Sequence, residues 1–74
     1  MQTISATGNA RGYATAVAAA GYRMKSFELR ELESAALHAR TAVKLASPAQ
    51  AGEADEILYK ADLALAIHKM VHML

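Results

Sequence analysis

His68 and His72 are the pair best placed to do chemistry in this chain, because a separation of four puts both imidazoles on one face of a helix. Two such ligands could share a metal ion. A zinc site, however, needs at least a third protein ligand, and the metalloprotease pattern requires a glutamate directly after the first histidine. Lys69 occupies that position and would repel a cation. The expectation is therefore no metal, with both histidines at the edge of a packed stripe near a helix C-terminus, where the dipole favours imidazolium. The carboxylates of Glu28, Glu31 and Glu33 lie among arginines, as on an ordinary solvated face. The absence of cysteine excludes disulfides, thiolate zinc sites, iron–sulfur clusters and thiol nucleophiles together. Gly8, Gly12 and Gly21 form no phosphate loop, and Ser26, Ser34 and Ser47 lack the strand–turn context of a nucleophile elbow. A chain of 74 residues also has little volume for a substrate pocket. The residues predict no enzyme and no cofactor.

His38 raises a separate possibility, phosphate transfer, in which a bundle helix presents a histidine with a small glycine nearby for access. Here Ala39-Arg40-Thr41-Ala42 follow it and the glycine is missing. Ser26-Phe27-Glu28-Leu29-Arg30 resembles the dimerisation motif of histidine kinases, but Phe27 stands at the phosphoacceptor position and has nothing to phosphorylate.

The elements that carry these residues are helical. Apolar residues make up 54% of the chain, yet 18 of them are alanine, so bulk for packing is scarce. Such a core typically supplies only roughly 3–5 kcal/mol, which calls for ideal helix packing or a partner. Residues 1–9 carry no charge and cluster Ser5, Thr7, Gly8 and Asn9, which reads as a flexible arm with Asn9 capping the next helix. Residues 10–25 place Tyr13, Val17, Ala20 and Met24 at helical spacing, with a break expected in Gly21–Ser26. From 26 to 46, Leu29, Leu32, Ala36, Ala39, Val43 and Ala46 line one face, while Arg30, Glu33, Arg40 and Lys44 fall opposite; Ser26 is a candidate cap. Ser47-Pro48-Ala49-Gln50 is a capping-box pattern, and Pro48 forbids simple continuation of the preceding helix. A last helix over about 48–73 then turns back. The fold predicted is all-α: an antiparallel hairpin (about 26–46 and 48–73) with an alanine-rich N-terminal helix, closed as a three-helix or a dimeric bundle, and residues 10–74 forming one helical domain.

That last helix carries two apolar stripes. Ala54, Ile57, Leu58, Ala61, Ala64, Leu65 and Val71 make the first; Tyr59, Leu63, Ala66, Ile67, Met70 and Leu74 make the second. One hairpin partner covers one stripe. The other needs the N-terminal helix, a second copy, or a different protein, and methionine suits irregular partner surfaces. Tyr59, Leu63, Ile67, Met70 and Leu74 are accordingly the candidate partner-binding residues, for a protein partner or a homo-oligomer. The alternative reading is nucleic acid, since residues 1–27 hold Arg11, Arg23 and Lys25 with no acid and interleave Tyr13, Tyr22 and Phe27. Three cations make a weak footprint, the remainder of the chain nets negative, and no recognition helix is visible. No stretch reaches the roughly 20 apolar residues of a membrane span, and Arg11 interrupts any signal-peptide core, so a cytoplasmic location is expected.

Leu32-Glu33-Ser34-Ala35-Ala36-Leu37 and, after the turn, Ala61-Asp62-Leu63-Ala64-Leu65-Ala66-Ile67-His68 resemble the small helical-hairpin co-chaperones that hold type III secretion needle subunits in the cytoplasm. The likeness spans roughly residues 30–70; the basic, alanine-rich N-terminus departs from that family's pattern. The resemblance implies a non-enzymatic chaperone or adaptor that masks an aggregation-prone helix of an export substrate, with Leu63, Ile67, Met70 and Leu74 in contact.

Overall fold

The computed structural model describes residues 2–73: three α-helices, α1 (Gln2–Arg23), α2 (Leu29–Leu45) and α3 (Ala51–Met73), with no strand among them. Successive helices run antiparallel. α1 and α3 each pack along α2 and meet each other only sparsely. The Cα envelope measures 52 × 19 × 13 Å, longer than any one helix, because α1 overhangs α2 at one end and α3 overhangs it at the other.

Alanine builds the interior. One cluster joins Ala20 of α1, Ala35, Ala36 and Ala39 of α2, and Ala61 of α3; a second joins Tyr13 and Ala16 of α1, Ala42 of α2 and Ala54 of α3. Methyl groups at the crossings let the backbones come close, so each helix contributes little bulk but fits tightly. At Gly12 the approach is tight enough that an added Cβ would meet Leu45 Cδ1 at 2.9 Å. Leu32 is the one leucine in the buried set; Met24, Ile57 and Leu58 pack half-buried against the first alanine cluster. Of the expected α2 face, Leu32, Ala36 and Ala39 are buried and Val43 and Ala46 half-buried, while Leu29, at the open start of the helix, is exposed; Arg30, Glu33, Arg40 and Lys44 are exposed as expected. Ala35 and Ala42 are buried as well, because α2 is the middle helix and is covered on two flanks.

The two connections differ in how well local chemistry describes them. At the second, the Ser47 N–H donates to Gln50 Oε1 at 3.0 Å, the return arm of the capping box, and the Gln50 N–H donates to the Ser47 carbonyl at 2.9 Å. A tight turn thus precedes regular helix, which starts at Ala51 rather than 48. At the first, α1 ends at Arg23 and the chain stays non-helical through Glu28. Glu28, not Ser26, is the N-cap residue of α2; the Ser26 hydroxyl instead accepts the Glu28 N–H at 3.1 Å, which closes a local turn. The expected start of α2 at 26 therefore moves to 29. Residues 2–9, read from sequence as an arm ahead of an Asn9 cap, belong to α1, whose backbone bonds run unbroken from Gln2 and leave Asn9 inside the helix.

Candidate functional site

Around its axis α3 presents two opposite sides. Ala54 and Ala61 are buried and Ile57, Leu58, Ala64 and Leu65 half-buried, which accounts for the first stripe against α2. Val71 departs from it: α2 begins only at Leu29, so the last turns of α3 run past their cover and Val71 is 61% exposed. The second stripe faces away from both other helices. Tyr59 is 68%, Leu63 44%, Ile67 51% and Met70 65% exposed, and Ala66 is exposed between them. Leu74, assigned to the same stripe, lies outside the described residues. Apolar residues on both sides of one helix suit a helix covered on both sides, and the chain covers one.

At the α3 end the stripe runs into a groove of about 410 Å³ lined by Met24, Phe27, Leu32, Ile67, His68 and Val71. Phe27, on the α1–α2 connection, is 92% exposed. The sequence pattern places it only in the kinase-like motif and in the basic, aromatic N-terminal segment, and not on the α3 side, because it sits in no helical period; a large aromatic inside a connection is the available signal. His68 ties this end together. Its Nε2–H donates to the Phe27 carbonyl at 2.8 Å, while Nδ1 is shielded from solvent and meets no partner. The His72 ring stacks on His68 with centroids 4.1 Å apart and planes 23° apart. His68 thus spends one nitrogen on the backbone, and among the described residues no three His, Cys, Asp or Glu side chains converge to hold a metal.

At the opposite end Tyr13, buried in α1, donates its hydroxyl to Glu53 Oε1 in the first turn of α3. The hydrogen bond to Glu53, then burial, then the carboxylate charge push the Tyr13 pKa up from 10.0 to about 12.

The cations of the nucleic-acid reading do not assemble. Arg23 Nη1 is 2.7 Å from Glu31 Oε1, and Arg23 and Lys25 share a shallow depression with Glu28 and Glu31. Arg11 is exposed about 18 Å further along α1, at 1.5 Å per residue. A phosphate approaching Arg23 and Lys25 meets carboxylates of equal number.

Among the described residues, no helix is long and apolar enough to cross a membrane. Comparison of the chain with protein-family models, with curated proteins and with solved structures finds no match in any of the three.

Proposed function

We propose that this chain is a cytoplasmic, non-enzymatic interaction module that covers a helix of another polypeptide with the outer stripe of α3, as an adaptor or chaperone does. One observation carries the reading: Tyr59, Leu63, Ile67 and Met70 stand exposed on the side of α3 directly opposite its packed side. A helix laid along that side removes four large apolar side chains from water, at about 25 cal/mol per Å² buried, and unbranched Met70 adapts to the incoming surface. The likeness of Leu32–Leu37 and Ala61–His68 to needle-subunit co-chaperones supports an export substrate as the client.

A photoreactive benzoylphenylalanine replacing Tyr59 in the living cell tests this. A covalent adduct with a polypeptide is expected, and no adduct from the same probe at Arg30 on α2. The Ile67→Asp, Met70→Asp double variant should lose the adduct while its far-UV circular dichroism stays helical. Absence of any adduct at Tyr59, or collapse of helicity in the double variant, overturns the reading, the latter by assigning the stripe to the protein's own core.

A further inference from the structure

The outer side of α3 is nearly symmetric in sequence about Ala66, with exposed Ile67 on one edge lacking a counterpart. Ala66 lies at the centre, Leu63 and Met70 flank it, and Tyr59 and Met73 lie outermost; all are exposed. Asp62 and Lys69, also exposed, are seven residues apart, two turns, and so share one edge of the stripe. We infer that, when no other helix is seated there, the stripe is closed by the stripe of a second copy of this chain, running antiparallel. This rests on the reading that α3 presents a helix-covering surface, and it names the occupant.

Symmetry and charge select that arrangement. A two-fold axis at right angles to both helices sets each edge of the stripe against the same edge of the other copy. With the axis at Ala66, Leu63 meets Met70 of the second copy, Tyr59 meets Met73, and Asp62 meets Lys69, every contact occurring twice. Ala66 at the crossing lets the helices approach as closely as the buried alanines do within the chain. Asp62 lies 3.7 Å from Arg40, both about half-exposed, so its carboxylate would gain a second cation without losing the first. A parallel pair would instead set each edge of the stripe against the opposite edge of the other copy, where Asp62 and Lys69 no longer meet. The stripe is about 21 Å long from Tyr59 to Met73. An interface this short dissociates on dilution.

Sedimentation equilibrium of the purified full chain over a concentration series reads the result. The expected species has twice the 7.9 kDa chain mass and falls to one chain on dilution. Asp62→Lys and Lys69→Asp should each weaken the dimer roughly tenfold, with helicity unchanged, since each turns two attractive contacts repulsive. Combining them should restore it, because the swapped charges again meet their opposites. The chain has no cysteine, so Ala66→Cys provides a clean second reading: mild oxidation should link two chains at the two-fold axis. Dimers indifferent to both single charge reversals, or left broken by the combined swap, overturn the antiparallel register. A purified chain that stays monomeric at every concentration overturns the proposal. If Tyr59 still crosslinks to a different polypeptide in the cell, the interaction reading survives without it; if Tyr59 crosslinks to nothing, both fall.

Discussion

In α2 most apolar and charged side chains separate onto different sides: Leu32 and four alanines point inward, Arg30, Glu33, Arg40 and Lys44 point out, and only Leu29 and Leu37 stand as exposed large apolar residues. In α3 the separation fails. Its fully buried positions are alanines, Ala54 and Ala61, while Tyr59, Leu63, Ile67 and Met70 face solvent. The two helices draw on nearly the same residue types. What differs is that α3 leaves a whole stripe of large apolar side chains uncovered, whereas α2 leaves only Leu29 and Leu37. Several of the larger apolar side chains, Tyr59, Leu63, Ile67 and Met70 among them, lie on a side that the fold leaves exposed, so hydrophobic stabilisation remains to be gained there by association rather than by folding.

The sharpest way to break this contrast is one substitution made in both helices. Ala39→Asp puts a charge with no partner at a fully buried crossing of α2 and should unfold the chain, a loss of several kcal/mol against a core of this size. Leu63→Asp on the outer side of α3 should shift the stability of the dilute monomer by no more than about 0.5 kcal/mol. Urea titration followed by circular dichroism measures both; equal losses would mean that the outer stripe is core after all.

A smaller effect concerns how α1 is held to the near end of α3. The Tyr13 pKa is raised on folding, so the protonated hydroxyl favours the native state. That contribution is complete below pH 10, the ordinary value, and disappears as pH rises through about 12. Thermal unfolding midpoints should therefore fall between pH 10 and 12. The Tyr13→Phe variant, with a modestly lower midpoint at neutral pH, should lack that component of the fall. Unchanged alkaline behaviour in the variant would remove the Tyr13–Glu53 bond from the account of how α1 and α3 are joined.

Much of this arrangement is readable in the residues, because some of it is set by local chemistry. Pro48 and Gln50 define the α2–α3 turn through a missing N–H and a side-chain acceptor, and neither needs distant contacts. The two stripes of α3 follow from spacing alone. The start of α1 was not legible in the same way, since Ser5, Thr7, Gly8 and Asn9 are weak helix formers that resemble a loop. Ser26 looked like a cap because serine caps helices, yet the same hydroxyl closes a turn two residues ahead of the true N-cap. Ala35 and Ala42 gave no hint of a second covered flank, alanine being equally at home inside and out. Tyr13 and Glu53 meet across 40 positions of sequence, and no local pattern announces such a pair.

The alanine interior also sets the calorimetry of the molecule. The heat-capacity change of unfolding grows with the apolar area newly hydrated, and methyl groups expose far less of it than isobutyl or phenyl groups. Calorimetry of the single chain should accordingly give a shallow stability curve and a broad melting endotherm. Clamping a second helix onto α3 would add the missing hydrocarbon, steepening the curve and sharpening the melt.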